Sequence, residues 1–401
     1  MGGHDGSGLW LRDVTALPGP AGHPAIVANG GSIMTGKERL ICALEGGTPD
    51  HVPVTWELVD RCALAFTGTT GWRAQCDAHR MIGSDILNLQ GVGPAERIAL
   101  RPGYSDETVQ AGTEGPWEVS QRTLTTPAGT LTARTLHGGM PHDPLVHKIT
   151  QTLVKTRDDY EIYADYLDEC ARTVEYVDGN SSEAVDYVGE DGLVNWWVGD
   201  SVYHIAMLRD VSELLIDLVE APELMETMFA KARELTQRRI LAFNDSAAEA
   251  LVFDLCWAST SLLSPEMTRR FIVPEAQWVV RNVASSKYVI FFVSGKMWDV
   301  LAMLVDTGPH AIEHLDVLGD VDLREAKALY GGRTCLMGNY SPVVLAHGSE
   351  KEARAEALRC LDAAGPDRFI ISTSDEVPAD AKLENMRAAV DEANKWRGPA
   401  S

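Results

Sequence analysis

Basic residues, paired cysteines and long apolar runs are all scarce in this chain, and each shortage excludes something. Lys and Arg number 35 against 58 Asp and Glu, a formal charge of −23. A surface that grips nucleic acid irrespective of sequence needs clustered cations to displace counterions, so that class is excluded. The cysteines are seven, an odd number, scattered from Cys42 to Cys360 without a CxxC pair. That spacing argues against a disulfide framework or a structural zinc site and fits reduced thiols. No run of about 18 apolar residues occurs, and no basic segment leads into an apolar one at the start, so neither a membrane span nor a secretory signal is expected and a cytoplasmic location is.

What the chain does have is bulk and rhythm. With 401 residues and 45% hydrophobic content it can bury a large core, and it exceeds the roughly 250 residues of a minimal eight-stranded α/β barrel. Short apolar runs at Tyr288–Val293, Ala311–Leu315, Thr334–Met337 and Phe369–Ser372 are separated by stretches of helical period. This βα alternation predicts a parallel sheet. Polar residues stand where each run stops: Ser294 to Lys296, His314 with Asp316, Asn339, and Asp375 with Glu376. In (β/α) folds the carboxyl ends of strands carry the chemistry.

Upstream, residues 1–34 are rich in Gly, Pro and Ala without period and are expected to form a flexible leader, with one barrel over 35–401. Thr35 with Glu38 predicts a capping-box helix start, followed by a first strand at Asp50–Trp56 that delivers Glu57. A second strand is expected at Ile86–Leu89, just after Asp85. Between about Arg97 and Lys148 the Thr, Val and Gly alternation predicts a β-hairpin excursion over one barrel face. Helical period runs over 157–177 and again over 211–243. Between them LVNWWVG (193–199) reads as a strand whose Trp196 and Trp197 face opposite ways, one of them toward a pocket or under a helix. Ala250–Leu255 is a further strand, carrying Asp254 into Trp257.

Several separated segments, in order, resemble the uroporphyrinogen decarboxylase superfamily: GKERLICALEGGTPDHVPVTW, LLSPEMTRRFIVPE, GDVDLREAKALYGGRTCLMGNYSPVVLAHGSEKE and DEVPADAKLENMRAAVDEA. The resemblance spans roughly residues 35–397. It implies a single (β/α)8 barrel with its cleft at the strands' carboxyl ends, in a superfamily of true decarboxylases and of methyltransferases serving corrinoid proteins and thiols. The decarboxylases carry Arg-Gln-Ala-Gly-Arg-Tyr after the first strand, whereas this chain has TWELVDRCALAF with only Arg61 nearby. An octa-anionic tetrapyrrole beside Glu57 and Asp60 would be repelled. Asp85 stands in an SDIL context similar to the decarboxylases' catalytic aspartate. The thiol-activating methyltransferases bind zinc through His-x-Cys-Gly, and the equivalent stretch here is Phe292-Val293-Ser294-Gly295-Lys296, which offers no normal zinc ligand.

The expected site is therefore acidic and aromatic. Asp254, Asp375, His314 and Asp85 are the candidate acid–base groups, and Glu57, Trp257, Lys296, Asn339, Asp316 and Trp298 the candidate substrate contacts. Converging carboxylates can serve as acid and base or hold a hard cation, and His314 can shuttle a proton. The plain alternative is that a strand-end Asp caps the next helix and that Asn339 shapes its loop. Three functions compete: demethylation of a small O- or N-methylated substrate onto a separate corrinoid protein, cofactor-free decarboxylation of a smaller acid, and ligand binding without catalysis. No tightly bound cofactor is expected; a corrinoid partner and a homodimer are.

Overall fold

The computed structural model describes residues 33–140 and 143–398; the expected leader falls almost wholly outside them. Twelve strands occur among the described residues. Six of them, β7 (Asn195–Gly199), β8 (Ala250–Asp254), β9 (Tyr288–Val293), β10 (Ala311–His314), β11 (Cys335–Met337) and β12 (Phe369–Ile370), form one sheet in that spatial order. All its neighbouring pairs are parallel. The intervening helices bury the outer face, and alternation along each strand divides the core in two. Leu251, Phe253, Val289, Phe291, Ile312, Leu336 and Phe369 join the large outer cluster. Ala250, Val252, Ile290, Phe292, Ala311, Met337 and Ile370 form an inner cluster with Leu40, Ala43 and Leu44 of α1 (Gly36–Glu45).

Thr35 and Glu38 make the reciprocal capping box at the start of α1, and Gly46, at φ 89°, ends it in the left-handed region. The two predicted early strands shrink to single parallel bridges, Val54 with Ile371 and Ile86 with Gly192. Pro53 has no N–H to extend the first ladder, and Asn88, at φ 62°, turns out of the second. These bridges fall at the two edges of the six-stranded sheet, and Asp85 N donates to Val54 O at 2.8 Å between them.

The excursion is larger than a hairpin. Strands β2 (Ser105–Glu114), β3 (Trp117–Thr126), β4 (Gly129–His137) and β5 (His147–Gln151) form an antiparallel meander, and its Leu124 and Leu131 reach the main core. The helix expected over 157–177 is Asp159–Thr173 only. Its predicted end, Val174–Asp178, is strand β6, which pairs with β1 (Pro94–Ile98). Val174, Tyr176 and Val177 favour extended backbone once a partner edge is available. Of the tryptophan pair, Trp196 points outward, donating to Ser181 Oγ at 2.6 Å and packing on Phe243. Trp197 points inward. No helix among the described residues is long and apolar enough to cross a membrane.

Candidate active site

The inner face of the sheet changes character at its carboxyl end. Below lie small and aliphatic side chains; above them stand Glu57, Trp197, Asp254, Phe292 and Glu313, with His314 beside them. His314 closes β10 at φ 77° and Leu315 follows at φ 44°, conformations that non-glycine residues adopt at a cost of order 1–3 kcal/mol. Gly338 on the neighbouring strand end makes room for that turn, since a Cβ there would come within 2.5 Å of His314 O. The twist brings the fully buried imidazole within 3.0 Å of Glu57 Oε2 and 3.5 Å of Glu313 Oε1. Neither contact is aligned as a hydrogen bond, and both ring nitrogens lack an aligned partner.

Burial alone would lower the His314 pKa, but Glu313 and Glu57 outweigh it and raise it to about 10, so the ring is an imidazolium at neutral pH. Burial pushes the Glu57 carboxyl up to about 7, with Glu313 and Glu376 adding to the rise and His314 opposing it. A carboxyl poised near neutrality beside a fixed cation suits proton transfer. Gln90 Nε2 lies 3.5 Å from the other Glu57 oxygen, and the Asn88 amide donates to Glu313. Phe292 packs its ring 4.1 Å from the His314 ring and 4.8 Å from Trp197. Asp254 accepts from Cys256 N at 2.9 Å and from Trp197 Nε1 at 3.5 Å, and burial raises its pKa.

Arg61, on α2 (Asp60–Thr67), ties the mouth together. Its guanidinium lies 3.3 Å from Glu376 and 3.6 Å from Asp143, a residue of the loop joining β4 to β5.

The structure thus brings Glu57, Asp254 and His314 together and distributes the other expected residues. Asp85 stands apart, one residue before the Ile86 bridge at the amino end of its run. It lies 2.6 Å from Arg39 and accepts from Val54 N, and burial holds its pKa up at about 6 against the pull of Arg39. Asp375 is exposed and accepts from Glu376 N, while Glu376 itself faces Arg61. Asp316 folds back on Leu318 N, and buried Asn339 accepts from Arg359 through its backbone and side-chain oxygens. Lys296 is exposed, its carbonyl accepting from Thr260. Trp257 is buried, and Trp298 is half-buried at the start of the helix after β9, its N–H on Asp320.

Glu313, Asn88 and Gln90 were not expected, and Glu376 only as the strand-end neighbour of Asp375. For Glu313 the signal was available: two residues past Ala311, it shares that residue's inward face, so a charge was being delivered inside an apolar run. The others depend on contacts across the fold. At the superfamily's zinc position the Phe292 ring is occupied with His314 and Trp197. Among the described residues no three His, Cys, Asp or Glu converge to hold a metal ion.

Comparison with known proteins places this geometry. A family model described as uroporphyrinogen decarboxylase (URO-D) matches residues 202–396. A uroporphyrinogen decarboxylase of Chlorobium luteolum is 32% identical over 146 residues, 35% of this chain and 39% of that protein. Another, of Gloeobacter violaceus, is 24% identical over 169 residues, 41% and 47% of the two chains. The aligned stretch therefore spans less than half the length of these curated relatives. A solved methyltransferase from Methanosarcina mazei shares the fold, with a TM-score of 0.61 over 90% of this chain and 99% of that one at 17% identity. Residues 202–396 are thus similar to the uroporphyrinogen decarboxylase family, and the chain shares its fold with the Methanosarcina mazei methyltransferase.

Proposed function

We propose that the protein is a methyltransferase-like enzyme that removes a methyl group from a small O- or N-methylated compound, in a (β/α)8 barrel whose two short staves run through Val54 and Ile86. The bridges to Ile371 and Gly192, with the Asp85 to Val54 hydrogen bond between them, support that closure. A separate corrinoid protein would supply the nucleophile that accepts the methyl group. The observation that carries the reading is the charge of the mouth: five carboxylates, Glu57, Asp143, Asp254, Glu313 and Glu376, stand against two cations, His314 and Arg61, which are already shared among the four other than Asp254. Such a site opposes a substrate bearing eight carboxylates. It suits one whose leaving atom needs either a proton or a counter-charge.

Glu57 serves in both cases. For a methyl ether, protonated Glu57 delivers its proton to the departing oxygen, and His314 stabilises the carboxylate left behind. For a methylated ammonium the amine departs neutral, and ionised Glu57 holds the cation until it leaves. Phe292 and Trp197 flank the reacting region and exclude water from it.

Free cobalamin, reduced to its Co(I) form, can stand in for the partner. Incubated with the protein and a panel of methoxyarenes, methylamines and quaternary methylammonium salts, it is expected to yield demethylated product by mass spectrometry. Glu57→Gln is expected to lower that rate by roughly 10²- to 10⁴-fold. The curated relatives favour a second reading, cofactor-free decarboxylation of a smaller acid. Carbon dioxide release from a panel of such acids, with no demethylation of any compound, would establish it and remove the first.

A further inference from the structure

We infer that the substrate is a cation bearing N-methyl groups, held between the carboxylates of Asp254 and Glu57 and the rings of Trp197 and Phe292. The inference rests on the methyl-transfer reading and narrows it to one charge class.

The first ground is an imbalance. The mouth holds five carboxylates, Glu57, Asp143, Asp254, Glu313 and Glu376, against His314 and Arg61. His314 is shared by Glu57 and Glu313, and Arg61 by Asp143 and Glu376. Asp254 has no basic side chain within ion-pair distance among the described residues; its partners are the Trp197 indole and the Cys256 amide. A 5%-exposed carboxylate without a cation is costly. Its neighbours leave it no protein cation to recruit.

The second ground is geometric. Glu57 Oε2 and Glu313 Oε2 are enclosed without an aligned donor, and the single His314 cation, 3.0 Å from the former, serves both carboxylates, so their negative charge is only partly met within the fold. A ligand that brings positive charge meets the rest. The third is the wall: Trp197 is half-buried, within 3.5 Å of Asp254 through its indole N–H, and Phe292 packs against it at 4.8 Å. Aromatic rings next to a carboxylate are the environment that binds methylated ammonium groups in preference to their neutral isosteres.

Choline and its uncharged carbon isostere, 3,3-dimethylbutan-1-ol, separate charge from shape. By titration calorimetry on the full chain, choline is expected to bind roughly tenfold or more tightly than the alcohol. Asp254→Asn and Trp197→Leu should each remove most of that preference while circular dichroism shows a folded protein. In the wild type, choline affinity should rise between pH 6 and pH 8 as Glu57 ionises. Burial sets that midpoint first, and then the groups facing Glu57, namely His314 and Glu313 from β10 and Glu376 from beyond β12. Equal binding of the two probes, or tighter binding of 4-methoxybenzoate than of choline, overturns the inference. The assay contains no corrinoid, so the two readings fail separately. Turnover of methoxyarenes without choline preference removes the cation and keeps methyl transfer, whereas choline preference without demethylation of any compound removes methyl transfer and keeps charge selection.

Discussion

His314 is a cation that the fold itself stabilises, and this has a measurable sign. Its folded pKa, about 10, lies above the ordinary histidine value of 6.5. The folded state therefore holds an extra proton between those values, and the stability it contributes is complete below the lower one and is lost as pH rises toward 10. Glu57 acts in the same direction at lower pH, because its folded pKa of about 7 exceeds the ordinary 4.5. The melting temperature is thus expected to fall from pH 7 to pH 10, with a slope of at most about 1.4 kcal/mol per pH unit from His314. His314→Gln should flatten that limb. A wild-type curve with no alkaline slope would show that the imidazole is neutral.

Among the elements, α1 holds a buried polar contact inside the fold. Arg39 is buried and lies within ion-pair distance of Asp50 and Asp85, and it donates to Met34 O. Arg39→Ala leaves Asp85 enclosed without its counter-ion and is expected to cost about 3–5 kcal/mol by chemical denaturation. Asp85→Asn distinguishes the two roles of that carboxylate. Loss of stability with turnover kept marks it as structural, whereas loss of turnover at an unchanged melting temperature restores the catalytic role that its SDIL context implies.

The same segment shows what was legible in the sequence. The capping box, the βα rhythm and the strand-end position of Glu57, Asp254 and His314 follow from local pattern, since caps and period are written within a few residues. Three things were not written locally. A helical period over 157–177 conceals a strand that exists only because β1 offers an edge. Asp375 and Glu376 are adjacent, and which of them faces the mouth depends on where Arg61 lies, far away in the chain. The ion pair of Asp85 with Arg39 joins residues 46 apart, and its SDIL context gives no sign of it.

For the molecule as a whole, strand pairing is uneven. Neighbours within the six-stranded sheet share up to five paired residues, as between β7 and β8, whereas the segments at its edges contribute single bridges at Val54 and Ile86. Amide exchange tracks the free energy of local opening. Hydrogen–deuterium exchange is therefore expected to label residues 53–56 and 85–89 before those of β8 and β9. Equal protection throughout would mean that the seams are as firm as the ladders.

The meeting of Glu57 with His314 has a last consequence, for synthesis. One partner lies in the first strand-like segment and the other on the third strand from the end of the sheet, so most of the described chain must be made before the pair can exist. A nascent chain that has emerged as far as β8 presents Glu57, Trp197 and Asp254 but lacks His314. The pair of Glu57 and His314 is thus assembled only after the strand β10 has been made.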